Sequence, residues 1–249
     1  MGAPTGFDWE WAERTGGKLT GAQRRQLTAK LAATLPGVVA DRVRLALGKR
    51  GAGHVDLDAA PPDSKLSRAT EEEARECLSP YVLEHSYRTY YFGRALAELS
   101  GTSYDDELAY VSCLLHDLTL ETPSPGACFA VDGAERAKAF VTAHGASEHQ
   151  AHLVGAAIAA HLTPGVADDL DTVGIVSAGA AADVLGLRLA DLDPVWVDQL
   201  LTRHPRADFK RRVRAAFDAQ AAAAPNTRIH WMMNTARFGP LIRFAPFDE

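Results

Sequence analysis

Two histidines and two aspartates are of types that commonly bind a divalent metal ion. They are His85, the adjacent pair His116 and Asp117, and the distant Asp183. Imidazole nitrogens and carboxylate oxygens together suit first-row metals such as zinc, iron, manganese, cobalt and nickel. The four residues lie in segments with helical periodicity and therefore predict one buried divalent metal ion, with zinc expected first and iron second.

The helix that carries His85 is predicted to begin at Ser79 and Pro80 and to close at Gly101. His85 and Arg88 are three residues apart, so they share one face of this helix. Arg88 is therefore interpreted either as a group that holds a polar substrate oxygen or as half of a buried salt bridge.

Both aspartates occupy positions that cost free energy unless a cation is near. A helix from about Ser103 is predicted to place Asp117 in its last turn, where the helix dipole disfavours a carboxylate. Asp183 continues the apolar stripe of a helix predicted to end at Gly186, and an ionised carboxylate on a buried face needs a partner. A shared metal ion would satisfy both carboxylates.

The order of these residues resembles the signature of the HD superfamily of metal-dependent phosphohydrolases. That signature runs His, His-Asp, Asp, and here it falls on His85, His116, Asp117 and Asp183. Four stretches are further similar to the cyanamide hydratase branch, namely 85–93, 113–121, 129–137 and 156–168. The resemblance implies an all-α HD-domain bundle around a buried metal site, with short helical additions at both ends.

The segment after the His-Asp pair predicts a single metal ion. Superfamily members with two metals place an extra histidine just before a Gly-Ala pair, whereas here Asp132 precedes Gly133 and Ala134. Asp132 is interpreted as the N-cap of the following helix, with Glu135 three residues later. A mononuclear centre is therefore expected.

Three candidates for proton transfer at this centre can be named. His161 ends a helix opened by the capping box of Ser147 and Gln150, and it is either a substrate or acid-base residue or a buried structural histidine. Glu121 lies just after the metal pair, as a base or a solvated loop residue. The third candidate to accept a proton from water is a free carboxylate oxygen, that of Asp117 or of Asp183.

The ligand set favours hydrolysis or hydration, because a divalent ion lowers the pKa of a bound water. The first hypothesis is a mononuclear hydrolase or hydratase, similar to cyanamide hydratase, acting on a small nitrile-like or C–N substrate. The alternatives are an HD-type nucleotide or phosphate-ester phosphohydrolase and a non-catalytic metal-containing binding module. A phosphatase needs several cations, and the central segment offers few: Arg88, Arg136 and Lys138.

Composition narrows the range of partners and compartments. The 249 residues are 47% hydrophobic and carry a net charge of −6, which does not favour nucleic acid. The three cysteines predict no disulfide framework, so a cytoplasmic location is expected. No apolar run predicts a membrane role, and the expected partner is a small-molecule substrate, with homo-oligomerisation left open.

The chain is predicted to consist of three parts. Residues 1–68 are an N-terminal helical extension and linker, with two short helices broken at Pro36 and Gly37. Residues 69–205 are the HD-type metal hydrolase core, and residues 206–249 are a C-terminal helical tail that packs on the core. No alternating strand pattern is present, so the fold class is all-α.

Overall fold

A computed structural model describes residues 5–249, and within them the regular structure is entirely helical. This confirms the all-α fold predicted from the sequence. Short 3₁₀ turns occur at Val166–Asp168 and Leu189–Asp191. The α-helices are α1 (Trp9–Thr15), α2 (Gly21–Ala46), α3 (Lys65–Cys77), α4 (Pro80–Leu99), α5 (Asp106–Leu115), α6 (Phe129–Ala143), α7 (Glu148–Ala160), α8 (Gly174–Leu185), α9 (Pro194–Arg203), α10 (Phe209–Ala223), α11 (Arg228–Asn234) and α12 (Phe238–Arg243).

Several helix ends follow from local sequence. The Ser147 side chain accepts a hydrogen bond from the Gln150 backbone while the Gln150 side chain accepts one from the Ser147 backbone, so α7 has the predicted capping box. Helix α8 ends at Gly186, whose φ of 68° is in the left-handed region that favours glycine. Helix α4 begins at Pro80, although Ser79 makes no side-chain capping bond.

Two predicted helix boundaries are wrong. Helix α2 is one continuous helix with Pro36 inside it, and not two helices broken at Pro36 and Gly37. The buried Leu27 anchors α2 and a capping box at Thr20 fixes its start, which lets tertiary packing override the cost of an internal proline. Asp132 is not an N-cap either, because α6 begins after Cys128 and Asp132 lies in its first turn.

The crossing of α4 and α8 sets the geometry of the centre. A Cβ atom at Gly93 would lie 2.7 Å from the Ile175 carbonyl oxygen, and one at Gly179 would collide with the Thr89 carbonyl. Both glycines therefore allow the two backbones to approach closely. Each step of four residues along α4 is matched by four residues backwards along α8, and the same antiparallel register brings the next pair together, His85 and Asp183.

The C-terminal helices pack against this crossing. Phe209 and Phe217 of α10, Trp231 of α11 and the near-terminal Phe247 are buried, whereas Phe244 is 74% exposed. The predicted division of the chain at residues 68 and 205 stays a prediction. No helix among residues 5–249 has the length and apolar character needed to cross a bilayer.

Candidate metal centre

Three side chains on two neighbouring segments meet inside the bundle. His85 comes from the middle of α4, His116 is the C-cap residue of α5, and Asp117 follows it. The Nε2 atoms of His85 and His116 are 3.2 Å apart. Asp117 Oδ2 lies 3.6 Å from His85 Nε2 and 3.3 Å from His116 Nε2. The three residues form a cluster that could hold a metal ion.

The hydrogen bonds on the other side of each ring identify the free nitrogens. His116 Nδ1 is 2.7 Å from the Cys113 carbonyl oxygen, which can only accept, so Nδ1 carries the proton. His85 Nδ1 likewise donates to the Asp183 carboxylate at 2.7 Å. Burial is the main cause that lowers the pKa of His116, which favours its neutral form. In neutral rings, the two Nε2 lone pairs therefore point at each other across 3.2 Å.

This arrangement fits a cation and is costly without one. The side chain of Asp117 is only 3% exposed, and its buried Oδ1 atom has no hydrogen-bond partner. A buried carboxylate oxygen without a partner costs free energy, and two facing lone pairs add repulsion. Ligand atoms about 2.0–2.1 Å from one ion lie roughly 3–3.4 Å from each other, close to the three observed separations. The donor set therefore fits one divalent metal ion.

Asp183 is adjacent to this cluster but is not one of the three residues that converge. Its Oδ2 accepts from His85 Nδ1, on the opposite edge of the imidazole from the Nε2 atom that faces His116. Its position as a fourth direct ligand stays a prediction. What the contacts give Asp183 is the role of fixing the tautomer and orientation of the His85 ring, as outer carboxylates do for metal-binding histidines.

Two arginines hold the Asp183 carboxylate. Arg88 Nε is 2.8 Å from Oδ1, and Arg206 Nη1 is 2.6 Å from the same oxygen. Burial raises the pKa of Asp183, but the charges of Arg88 and Arg206 more than offset it and hold this pKa well below its usual range. Asp183 is thus kept ionised, and its bond to His85 is a strong one.

Arg88 follows the salt-bridge interpretation and not the substrate-binding one. The side chain is completely buried, and its remaining donors bond the carbonyl oxygens of His204 and Pro205. Arg88 is absent from the wall of the cavity described below. A contact between Arg88 and substrate stays a prediction, and the contacts present do not support it because protein acceptors occupy the guanidinium nitrogens.

His161 lies on the open side of the cluster. Its Nδ1 donates to the Ile158 carbonyl at 2.6 Å, so Nε2 is left free and lies 3.9 Å from Asp117 Oδ1. Burial, followed by the neighbouring His116, lowers the pKa of His161 to about 3. The ring is therefore neutral and its Nε2 can accept a hydrogen bond beside Asp117, but a pKa of about 3 makes it a weak base at neutral pH.

Glu121 lies outside the centre. It is an exposed residue in the turns after Asp117, and it is not part of the cavity wall. Glu121 instead acts on the Tyr81 hydroxyl: burial raises the pKa of Tyr81, and the negative charge of Glu121 raises it further. The exposure of Glu121 agrees with the solvated interpretation, and its role as a base stays a prediction.

A cavity of about 250 Å³ opens onto the cluster. His85, His116, Asp117 and His161 form its polar end. The other walls come from α2, α8 and the three C-terminal helices, and most of them are apolar. Sequence reasoning missed these walls, together with Arg206, because no spacing relates residues of α2 and α12 to a motif in the middle of the chain.

The same region of the chain matches known proteins. The model of the HD domain family matches residues 82–194. Over 60 residues the chain is 37% identical to two proteins of Saccharomyces cerevisiae, the cyanamide hydratases DDI2 and DDI3. That match covers 23% of this chain and 27% of each yeast protein, so it spans about a quarter of their length. Residues 82–194, which contain the cluster, are therefore similar to the HD domain family.

Proposed function

We propose that the chain is a mononuclear metal-dependent hydrolase or hydratase that acts on a small nitrile-like or C–N substrate. The observation that carries this proposal is the convergence of two histidine Nε2 atoms and an unpartnered carboxylate oxygen at the polar end of a cavity. His85, His116 and Asp117 would hold the ion, and zinc is the expected one because it accepts mixed imidazole and carboxylate ligands. Similarity to the two yeast cyanamide hydratases supports the C–N substrate.

A divalent ion in such a site supplies Lewis acidity and a water that is activated near neutral pH. The protein's own groups then manage the protons. His161 Nε2 would accept a proton from the attacking water in the transition state and return it to the substrate nitrogen, with Asp117 Oδ1 as the nearest carboxylate oxygen at 3.9 Å. The hydrogen bond from Nδ1 to Ile158 keeps the accepting nitrogen turned toward the cavity. Addition of this water across a C≡N bond gives an amide, and from cyanamide it gives urea.

The phosphohydrolase alternative receives less support from the charges around the cavity. Arg188 is the sole lysine or arginine in its wall, as far as residues 5–249 describe it, and its guanidinium bonds Asp191 at 3.0 Å. A transferred phosphoryl group needs several cations or donors aimed at its oxygens. The third hypothesis is a metal-containing binding module. No specific contact favours it, whereas the position of His161 beside Asp117 favours a reaction.

The test is turnover by the zinc-loaded full chain. Cyanamide, a series of nitriles and amides, and a series of nucleotides are incubated with the protein, and urea, amide, ammonia and phosphate are measured. The proposal expects products from at least one C–N substrate and no phosphate. His116→Gln, checked by circular dichroism for retained helix content, is the inactive control. Phosphate release from nucleotides would reject the proposal in favour of the alternative, and no product from any compound would favour a binding module.

A further inference from the structure

We infer that this site takes an uncharged substrate with a large apolar body, bound with its reactive C–N group against the cluster of His85, His116 and Asp117. The inference rests on the proposed function and specifies its substrate class. It starts from the size of the cavity, about 250 Å³. An apolar cavity of about 150 Å³ already accommodates benzene. Cyanamide has half as many non-hydrogen atoms as benzene, so it would leave most of this cavity unfilled.

The apolar walls come from three separate parts of the chain. Helix α8 turns one face toward the cavity, with Ala181 and Val184 one turn apart. The C-terminal helices contribute Phe217 and Phe238, and α2 closes the opposite side with Leu31. A wall of this kind stabilises a bound apolar group by removing it from water, at about 25 cal/mol for each Å² buried.

The polar side chains in these walls are already bonded within the protein. Thr34 Oγ1 donates to the Leu31 carbonyl at 2.8 Å, and Ser177 Oγ donates to the His161 carbonyl at 3.1 Å. Thr163 Oγ1 accepts from Arg228 Nη1 at 2.6 Å.

The two charged residues of the wall are bonded as well. Asp168 is paired with Lys30 at 3.1 Å, and Arg188 with Asp191 at 3.0 Å. Asp117 Oδ1 and His161 Nε2, which keep free acceptor positions, lie together at one end of the cavity.

This separation determines which molecules fit. A phosphorylated nucleotide would place charges against alanine, valine and phenylalanine with no donors to replace their water, which costs free energy. A nitrile or amide with a hydrocarbon body matches both ends of the cavity. Each methylene that enters the apolar part should tighten binding about fourfold, the equivalent of about 0.8 kcal/mol.

The test measures binding and not turnover. Dissociation constants of linear nitriles from acetonitrile to octanenitrile are measured by calorimetry on the zinc-loaded full chain and on metal-free His85→Ala. We expect the constant to fall about fourfold for each methylene in both proteins until the cavity is full. A constant that does not change with chain length, or cyanamide as the tightest ligand, would overturn the inference.

Two variants locate the hydrocarbon body. Ala181→Leu fills part of the wall and should end the gain about three methylenes earlier, whereas Phe238→Ala enlarges it and should extend the gain to longer chains. Ala219→Leu, the same change on an exposed position of α10, is the matched control and should behave like the original protein. Unchanged profiles in both wall variants would place the body elsewhere and reject the inference.

The result is separable from the proposed function. Chain-length dependence without turnover of any C–N compound would reject the proposed reaction and keep the apolar binding site. Turnover with no dependence of binding on chain length would do the reverse.

Discussion

At the scale of single residues, the centre is defined by which nitrogen each histidine leaves free. His116 and His161 both donate through Nδ1 to a carbonyl oxygen three residues earlier, Cys113 and Ile158 respectively. Each occupies a helix C-cap position, where the carbonyl oxygens of the last turn can accept from further donors. These bonds to backbone carbonyls fix the two rings so that both Nε2 atoms face Asp117.

The residues of the cluster could be predicted from the sequence because they share unusual positions. A carboxylate at a helix end and a histidine on an apolar stripe are visible without a structure. The sequence could not show that Asp183 contacts the ring of His85 and that the other three residues converge without it. In sequence Asp183 resembles a ligand, whereas in the structure its carboxylate lies against His85 Nδ1. Arg206 lies in the segment between α9 and α10, with no periodic pattern to indicate that it is buried.

The contact of Asp183 with His85 predicts a graded loss of metal affinity. In Asp183→Asn the charge that polarises the His85 ring is removed while the shape is kept, so we expect affinity for zinc to fall about 10–100-fold. Loss of His116 should abolish binding at the same zinc concentration. Competition with a chelator of known affinity measures both values. Equal loss in the two variants would make Asp183 a direct ligand.

A variant of His161 separates proton transfer from metal binding. We expect His161→Gln to lower kcat by about 10²–10⁴-fold, because it removes the free imidazole nitrogen next to Asp117. Metal content should stay that of the original protein, since His161 Nε2 is 3.9 Å from Asp117 Oδ1 and outside the three-residue cluster. Turnover and elemental analysis are the two measurements. Loss of the ion would assign His161 as a ligand and contradict this account.

At the scale of the elements, the sequence predicted some helix ends correctly but not the start of α6 or the continuity of α2. The α7 capping box and the glycine after α8 are short-range signals that depend on a few neighbouring residues. Helix α2 has no such local explanation for its continuity through Pro36, because the compensation comes from distant residues that pack on Leu27 and Leu31. The sequence also did not predict the close approach of α4 and α8, because a glycine inside a helix ordinarily indicates only a less stable helix.

Asp132 offers a pH test of the corrected start of α6. Burial raises the pKa of Asp132 above its usual value. The folded protein therefore binds more protons than the unfolded chain between the unfolded pKa, about 3.9, and the raised folded pKa, so stability falls as pH rises through this window. Asp132→Asn lacks this loss. We expect its melting temperature to exceed that of the original protein by an amount that grows with pH.

Thermal melts from pH 4 to pH 8 check this expectation. A stability advantage of the carboxylate that grows with pH would restore Asp132 as a capping residue. Ser147→Ala serves as the comparison, because Ser147 is an observed cap and its removal should cost about 1 kcal/mol at every pH in this range.

At the scale of the whole molecule, the segment that matches the HD domain supplies the reactive end of the site and part of its walls, and the rest of the chain completes them. The cluster and His161 lie within residues 82–194. Leu31 of α2, Phe217 of α10 and Phe238 of α12 lie outside that segment and line the same cavity. The matched segment carries the proposed chemistry, and we propose that the additions contribute to substrate choice. Short-range sequence patterns cannot place these additions in space.

Metal binding should also stabilise the whole fold. The ligands come from two helices, so an ion that binds only the folded protein links them. At a zinc concentration 100 times the dissociation constant, we expect about 2.7 kcal/mol of added stability. For a chain of this size that raises the melting temperature by roughly 5–10 °C. Addition of a chelator should reverse the shift, and a melting temperature that does not respond to zinc would argue against a shared ion.

Metal content is the most direct test of the central claim that His85, His116 and Asp117 form one metal site. The full chain is saturated with zinc, freed of excess ion by gel filtration and measured by elemental analysis. His116→Gln, with circular dichroism to verify its fold, is treated identically. The account predicts one ion per chain in the original protein and none in the variant. Metal-free original protein, or a folded variant that retains a full ion, would contradict it.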